Sequence, residues 1–384
     1  MHICFVCNEY PPTPHGGIGS FTQTLGRALV KRGQRVTVIG GYPDQYAGME
    51  DDEGVHVIRL SRKGPPLVRF GLNRARLAKR LRQLDEQHPI DIIEGSEVEI
   101  WALNRSAPGI KVLRMHGGPH FFSTTPRPPL VKNLKERWAF HVADQLCAVS
   151  QCVADGTRKL LRLGDRHIEV IPNPIDIDLF APAPADAEES GLIVFAGTIN
   201  ERKGIRQLIQ AMPRIVAAVP EAHLEAYGGD AVFPANSISF TKTLAASIPA
   251  ELTGHIQWKG RVSRAELPGA LKRASVCVYP SHMEAMPIAW LEGLAAGKAV
   301  VASRTGPGPE IIDDGVTGLL CNPQDPNSIA EKVVTLLKDA DLRRKMGSAA
   351  RKIAVERYSL DRLVDRNLEY YRRLVETPKS HRHL

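Results

Sequence analysis

The chain has 384 residues, 43% of them hydrophobic, and a formal net charge of +8. This length predicts two domains, and no apolar run is long enough to cross a bilayer. The modest basic charge suits a small anionic ligand and does not by itself indicate nucleic-acid binding.

The N-terminal residues and the cysteines bear on the cellular compartment of the protein. Residues 1–7 form a strand pattern and lack the basic start and the cleavage site of a secretory signal. The six cysteines show no disulfide framework, and Cys4 and Cys7, three apart in a strand, point to opposite sides. We therefore expect reduced thiols and a cytoplasmic protein.

Short apolar strands alternate with amphipathic helices through the first half of the chain, which is typical of βαβ units and parallel sheets. The predicted strands span residues 2–7, 35–40, 55–59, 91–94, 111–115, 145–149 and 168–171. The predicted helices span residues 20–32, 73–86, 130–141 and 152–163.

A second strand series follows residues 180–191, a stretch rich in Pro, Ala and acids that has the composition of a linker. Its strands span residues 192–196, 223–227, 255–259, 275–279 and 299–302, and a last amphipathic helix spans residues 359–375. We predict an N-terminal domain of residues 1–182 and a C-terminal domain of residues 183–358. Both are doubly wound α/β domains, and two such domains that face each other form a cleft at the carboxyl ends of their strands.

The first strand leads into a loop with Gly16, Gly17 and Gly19, just before a predicted helix. Glycines let a ligand approach the backbone, and a helix N-terminus favours an anion. The alternative is a plain tight turn. The spacing G-G-x-G differs from the dinucleotide fingerprint and therefore disfavours an NAD-dependent oxidoreductase.

Two later strand ends carry polar side chains. His116 follows the strand at residues 111–115, where it can contact a substrate or have a structural role. Arg202 and Lys203 follow the strand at residues 192–196, where two cations suit a diphosphate or form an ordinary solvated loop.

Asp176 and Asp178 form an Asp-x-Asp, a pair that some metal-dependent enzymes of a different fold use for a divalent cation. Here the pair lies in a turn cluster just before the linker stretch, and we expect no metal site.

Two carboxylates, Glu284 and Glu292, have seven residues between them, including Pro287. The proline predicts that Glu284 lies in a loop just before a helix and that Glu292 lies about one and a half turns inside it. A carboxylate among Ala, Leu and Trp needs hydroxyl or N–H partners, which a bound sugar and ribose would supply. The alternative is a surface helix with one capping acid and one solvated acid.

Over nearly the whole chain, these motifs in this order resemble the retaining glycosyltransferases of the GT-B fold, often called family four. The E-x7-E of the family is matched by Glu284 and Glu292, and other family segments by residues 16–19, 116, 173, 197–204 and 306–318. One departure is Thr198, where the family usually has arginine. The diphosphate would then rely on Lys203, with Arg202 as a substitute.

The resemblance implies a GT-B fold of two Rossmann-like domains, with the last helix crossing back to the N-terminal domain. It also implies transfer of a sugar from a nucleoside-diphosphate sugar to a hydroxyl acceptor, without a cofactor or a metal. The residues it assigns to catalysis are His116, Glu284 and Lys203. Those it assigns to donor binding are Gly16, Gly17, Arg202, Lys203, Arg261, Val262, Glu284, Ala285, Met286 and Glu292.

The implied roles differ between these residues. Glu292 would accept hydrogen bonds from the ribose, and Lys203 would neutralise the leaving diphosphate. Glu284 would hold the donor sugar together with the N–H groups of Ala285 and Met286.

Three further contacts complete the implied donor site. The base would lie near Arg261–Val262. Gly17 would donate an N–H to the phosphate from the N-terminal domain, and His116 would contact the donor sugar close to the anomeric carbon.

The predicted helix over residues 70–86 is basic on one face, with Arg69 just before it, then Arg74, Arg76, Lys79, Arg80 and Arg82, and no acid before position 85. A basic amphipathic helix can lie on a membrane surface. This would give a lipid-linked acceptor and peripheral contact with the inner face of the membrane. The alternative is a helix packed on its own sheet.

Other functions fit the same two-domain plan. They are a sugar-nucleotide epimerase, a phosphorylase and a nucleotide-sugar-binding protein without catalysis. The last of these would bind tightly without turnover.

Overall fold

The computed structural model describes residues 1–62, 64, 66–123, 130–231 and 238–377, with their side chains except those of residues 66–70 and 185. The chain divides into two compact units. The first contains Met1–Pro174 and the chain from Leu360 onward, and the second contains Ile175–Ser359.

The first unit is built on one sheet. Within the described residues its strands are β1 (His2–Val6), β2 (Arg35–Tyr42), β3 (Gly48–Asp52), β4 (Val55–Ser61), β5 (Ile92–Gly95), β6 (Ile110–Met115), β7 (Gln145–Ala148) and β8 (Ile168–Val170). Their order is β3-β4-β2-β1-β5-β6-β7-β8, and all neighbours are parallel except β3 and β4. The helices that connect them are α1 (Gly17–Lys31), α2 (Pro66–Gln87), α3 (Leu130–Val142) and α4 (Gln151–Leu161).

The second unit has a fully parallel sheet of order β11-β10-β9-β12-β13-β14. Its strands are β9 (Leu192–Ala196), β10 (His223–Tyr227), β11 (Ile256–Gly260), β12 (Val276–Tyr279), β13 (Ala299–Ser303) and β14 (Gly318–Cys321). Its described helices are α5 (Ile205–Ala218), α6 (Phe240–Ala245), α7 (Leu267–Arg273), α8 (Ile288–Ala295), α9 (Gly308–Ile311), α10 (Pro326–Lys338) and α11 (Ala340–Ile353). The inner strands β1, β6, β9 and β12 are buried along their whole length, as expected where helices cover both faces of a parallel sheet.

The last helix, α12 (Leu360–Glu376), belongs to the first unit. It buries an apolar stripe and a polar pair, Asn367 and Tyr371. Asn367 Oδ1 accepts a 2.6 Å hydrogen bond from Arg114 of β6, and the Tyr371 hydroxyl donates to Glu94 of β5 at 2.9 Å. Arg114 and Glu94 are themselves a buried ion pair at 2.7 Å, so the helix completes a polar network inside the unit.

The division of the chain comes earlier than the predicted boundary at residue 182. Ile175 already belongs to the second unit, because its N–H donates to the carbonyl of Tyr358 at 2.8 Å and it pairs with Ser359. Phe180 is fully buried. The stretch that has linker composition therefore lies inside the second unit, where Glu188 forms an ion pair with Arg343.

The predicted strands of both series are confirmed within a few residues, whereas β3 and β14 were missed. β3 has the sequence Gly-Met-Glu-Asp-Asp and is almost entirely exposed, so it carries no apolar alternation. Helix α1 begins at Gly17, three residues before the predicted start at Ser20, because two of the loop glycines belong to its first turn.

Candidate active site

In the second unit, the loop after β9 approaches the segment after β12, since these strands are neighbours. Gly204 makes this approach possible. Its φ is +70°, and a Cβ at this position would lie 1.8 Å from the carbonyl oxygen of Pro280. The carbonyl of Arg202 accepts a 2.8 Å hydrogen bond from the N–H of His282. The predicted phosphate loop is thereby fixed against the loop that carries Glu284.

Glu284 is held by two cations. The residue is 6% exposed, and Lys203 Nζ lies 2.6 Å from one carboxylate oxygen. Arg202 lies 3.2 Å from the other oxygen and also donates to the carbonyl of Met283 at 3.0 Å. Burial raises the pKa of Glu284, but the charges of Lys203 and Arg202 outweigh it and hold the pKa below its usual value. The structure therefore brings three of the predicted site residues into one ionised cluster.

The E-x7-E segment has the predicted local structure. Ala285 and Met286 are buried in the loop that follows Glu284, and α8 begins at Ile288, directly after Pro287. Glu292 lies inside this helix and is buried, with 7% of the residue exposed. A solvated surface helix is therefore ruled out.

The Glu292 carboxylate accepts no hydrogen bond from any residue that the structure describes. Burial raises its pKa to about 7, although the charge of Arg264 acts in the opposite direction. A buried carboxyl group in this condition can accept hydrogen bonds from ligand hydroxyls, and such bonds would favour its ionised form.

This raised pKa predicts a pH-dependent stability. Because the pKa of the folded state, about 7, exceeds the ordinary 4.5, the contribution of Glu292 is fully present below pH 4.5 and is lost as the pH rises through 7. From pH 4.5 to pH 8, we expect the free energy of unfolding of the wild type to fall by about 3 kcal/mol relative to Glu292→Gln. Urea unfolding of both proteins at several pH values measures this difference, and parallel pH profiles would contradict it.

Arg261 and Val262 follow β11 at the same sheet edge. Arg261 is exposed, and its guanidinium lies against Gly229, where a Cβ would be 3.0 Å from Nη2. Val262 is half-buried. Both residues lie at the carboxyl end of the sheet, as do Lys203 and Glu284, because all its strands are parallel.

In the first unit, Glu9 binds the N-terminus of α1. Its carboxylate accepts hydrogen bonds from the N–H of Gly16 at 3.2 Å and of Gly19 at 2.8 Å. Gly19 permits this contact, because a Cβ would lie 2.0 Å from the Glu9 carbonyl oxygen. The Gly16 amide that was predicted to bind the donor thus already has an anionic partner. A phosphate at Gly17 would lie beside this carboxylate.

His116 lies directly after β6 and is partly exposed. Its N–H donates to Glu97 Oε2 at 3.1 Å, and its ring meets Phe21 of α1 edge to face at 4.9 Å. Desolvation and the nearby charge of Arg114 lower the pKa of His116 to about 3. The ring is therefore neutral at physiological pH and can form hydrogen bonds without carrying charge.

A cluster of buried acids beside His116 was missed by the sequence analysis. It contains Glu97, Glu99 and Glu136, each at most 2% exposed, and His120, whose ring nitrogen lies 2.5 Å from Glu136. Burial raises the pKa of Glu97 to about 8 and that of Glu99 to about 7. The available signal was the run Ser-Glu-Val-Glu just after the strand at residues 91–94.

Within the Asp-x-Asp pair, the side chain of Asp176 has a structural role. Asp176 Oδ1 accepts hydrogen bonds from the N–H of Asp178 at 3.2 Å and of Leu179 at 2.9 Å. Over the described ranges, no group of three or more His, Cys, Asp or Glu residues could hold a metal ion. No described helix is long and apolar enough to span a membrane.

Two units, each with helices packed on a largely parallel sheet, are the architecture of the GT-B class of glycosyltransferases. Two family descriptions match the chain, Glycosyltransferase Family 4 over residues 15–179 and Glycosyl transferases group 1 over residues 176–353. The chain belongs to the group 1 glycosyltransferases of the GT-B fold. It is thus a glycosyltransferase, as the motifs predicted.

Curated relatives and solved structures agree with this assignment. The chain is 26% identical to alpha-maltose-1-phosphate synthase of Mycolicibacterium smegmatis, with 97% of this chain and 100% of the relative covered. It is 28% identical to a GDP-mannose-dependent phosphatidylinositol monomannoside mannosyltransferase of the same organism, with coverage of 93% and 94%. Sucrose-phosphate synthase of Thermosynechococcus elongatus has the same fold, with a TM-score of 0.83, 21% identity and coverage of 97% and 98%.

Proposed function

We propose that the chain is a retaining hexosyltransferase that moves a sugar from a nucleoside-diphosphate sugar to a hydroxyl acceptor, in the synthesis of a glycan, glycolipid or glycoconjugate. The observation that carries this proposal is the buried Glu284 held by Lys203 and Arg202 at the ends of neighbouring parallel strands. Support comes from the Anabaena protein HepE, of similar fold (TM-score 0.77, 19% identity, coverage of 97% and 100%), which was solved with UDP and glucose.

The site residues of the second unit have the following proposed roles. Lys203 and Arg202 bind the diphosphate, and Glu284 accepts hydrogen bonds from the donor sugar. Glu292 accepts hydrogen bonds from the ribose hydroxyls, which supply the donors that its buried carboxylate needs. Arg261 with Val262 contacts the base.

Further contacts are proposed for four residues. The N–H groups of Ala285 and Met286 help to hold the donor sugar. Gly17 contributes an N–H to the phosphate, and the neutral ring of His116 forms a hydrogen bond with the sugar near the anomeric carbon.

The proposed reaction breaks the bond between the anomeric carbon and the diphosphate oxygen. The acceptor oxygen bonds to the anomeric carbon on the same face, and its proton passes to the departing diphosphate. Negative charge on the leaving group grows as the bond breaks, so fixed cations stabilise the transition state more than the ground state.

Two measurements test the proposal. Thermal shifts with UDP-, GDP- and ADP-sugars should identify the donor, since a ligand at 100 times its Kd adds about 2.7 kcal/mol of stability. NMR of the product should show the same anomeric configuration as the donor. Inversion contradicts the retaining mechanism, and donor binding without transfer to any hydroxyl compound would favour a binding protein instead.

Activity is expected to survive EDTA. Lys203 and Arg202 supply positive charge where the diphosphate is proposed to bind, which is the role that a divalent cation has in other transferases. Initial rates measured with and without the chelator check this expectation. If EDTA abolishes turnover and manganese restores it, the reaction depends on a metal.

A further inference from the structure

The loop after β6 begins with His116 and continues as Gly-Gly-Pro-His over residues 117–120. Two adjacent glycines give this loop little conformational preference of its own. Gly117 has a φ of +87°, which favours glycine, and a Cβ there would lie 2.4 Å from Phe122 Cε2. The position of the His116 ring therefore depends on the contacts that other elements make with the loop.

Two buried carboxylates hold the ends of this loop. Glu97, in the segment after β5, accepts a 3.1 Å hydrogen bond from the N–H of His116. Glu136 of α3 uses one oxygen, Oε2, for His120. This atom accepts a hydrogen bond from the N–H of His120 at 3.0 Å and lies 2.5 Å from its ring Nδ1. The loop is thus fixed at its first and last residues by elements that lie apart in the chain.

Gly118, between these two points, packs against both acids. A Cβ at Gly118 would lie 2.0 Å from Glu136 Oε1 and 3.3 Å from Glu97 Cβ. The loop can approach the two side chains this closely because residue 118 has no side chain of its own. In such a close-packed contact, a displacement of the Glu136 side chain is transmitted to the loop.

The burial of these two acids is costly. Glu136 is 1% exposed and Glu97 is 2% exposed, and the Oε1 atom of each lacks a hydrogen-bond partner among the described residues. An unsatisfied buried acceptor costs about 1–3 kcal/mol. Local costs of this kind are typical of functional sites, where geometry is kept at the expense of stability.

The His116 ring is the part of the loop where a small shift would matter. It lies against Phe21 of α1, with the ring centroids 4.9 Å apart, and is the proposed contact of the donor sugar near the anomeric carbon. A misplacement of about 1 Å near the reacting atoms can cost about 100-fold in rate.

We propose that Glu136 is a positioning residue for the sugar transfer. Through His120 it fixes the loop after β6, and the loop in turn fixes the ring of His116. The inference rests on the proposed function, because it needs the proposed role of His116. It gives Glu136 no contact with either substrate.

A double-mutant cycle on kcat tests the coupling between Glu136 and His116. Glu136→Ala is expected to lower kcat about tenfold or more. The Kd for the nucleoside-diphosphate sugar should change less than about threefold, because the residues proposed to bind the diphosphate and the ribose belong to the second unit. In a His116→Ala background, the same change should cost less than about threefold in kcat, since the ring to be positioned is then absent. Equal losses in both backgrounds overturn the proposal.

Two further variants separate positioning from general destabilisation. Glu136→Gln keeps an oxygen acceptor for His120 and should keep kcat within about threefold of the wild type. The matched control is Arg137→Gln, an exposed neighbour on α3 that bonds to Asn133 of the same helix, and it should leave kcat unchanged. If Glu136→Gln loses as much kcat as Glu136→Ala, the hydrogen bonds to His120 do not matter and the proposal fails.

His120→Ala reaches the same contact from the loop. It removes the ring but leaves the backbone N–H that donates to Glu136, so it should lower kcat less than Glu136→Ala. If Glu136→Ala does not fold, His120→Ala takes its place in the cycle with His116→Ala. Equal losses from His120→Ala in both backgrounds then overturn the proposal.

NMR of histidine-labelled protein follows the His116 ring without turnover. Its resonances, assigned by their loss in His116→Ala, should shift in Glu136→Ala and His120→Ala but not in Arg137→Gln. Unchanged His116 resonances in the folded variants overturn the proposal. If the resonances shift as expected but the wild type transfers no sugar, the proposed function fails, whereas the positioning of the His116 ring by Glu136 stands.

Discussion

Replacement of Lys203 by alanine is expected to lower kcat about 100-fold, while the Kd for the nucleoside-diphosphate sugar changes less than tenfold. The ammonium group is fixed 2.6 Å from the buried Glu284, so it is positioned before the leaving group acquires its charge. An interaction that strengthens in the transition state affects turnover more than binding. Steady-state kinetics at saturating donor, together with calorimetric Kd values, measure the two effects separately.

Two other variants serve as comparisons. Arg202→Ala should have a smaller effect on kcat, because Arg202 lies farther from Glu284, at 3.2 Å, and 38% of its side chain is exposed. Glu292→Ala should show the opposite pattern, a weaker Kd with less change in kcat, since ribose contacts are alike in the ground and transition states. If Lys203→Ala weakens binding as much as Glu292→Ala and keeps full turnover at saturation, the proposed role of Lys203 is wrong.

Ending the chain at Ser359 is expected to unfold the first unit. Helix α12 buries Leu363, Val364, Leu368 and Tyr371 in that unit, and each large apolar side chain contributes about 1.5–3 kcal/mol. Its loss would also leave the buried Arg114 without the Asn367 acceptor. The sum is comparable to the whole stability of a typical domain, about 5–15 kcal/mol.

Calorimetric unfolding and limited proteolysis check this expectation. The truncated protein should lose one cooperative transition and keep that of the second unit. A chain that ends at Thr377 retains all of α12 and is the matched control, with an unchanged melting temperature. Full activity and an intact first transition after truncation at Ser359 would contradict the predicted role of the helix.

Local sequence patterns were sufficient to place Lys203, Glu284 and His116 at strand ends. Each follows a short apolar run, and the run itself indicates where a parallel strand stops. Their contacts were not readable in this way. The ion pair between Lys203 and Glu284 depends on β12 lying beside β9, although α5, β10, α6, β11 and α7 separate these strands in the chain. Strand order is a long-range property that no local pattern carries.

The acid cluster was missed for the same reason. Glu136 comes from α3 and Glu97 from the loop after β5, and they meet at Gly118, where a Cβ would lie 2.0 Å from Glu136 Oε1 and 3.3 Å from Glu97 Cβ. Periodicity showed that α3 is amphipathic, but Glu136 is a charged residue on its buried side. Composition also placed the domain boundary too late, at residue 182. The Pro- and Ala-rich stretch of residues 180–191 lies inside the second unit and does not link the two units.

The passage of the chain out of the first unit at Pro174 and back into it at Leu360 has a consequence for biosynthesis. The ribosome completes the second unit before it releases α12. Until then, the Arg114–Glu94 pair of the first unit lacks two of its hydrogen-bond partners, Asn367 and Tyr371. The unit that is translated first is therefore the one that finishes folding last, and in the nascent chain it is the part that chaperones would have to shield.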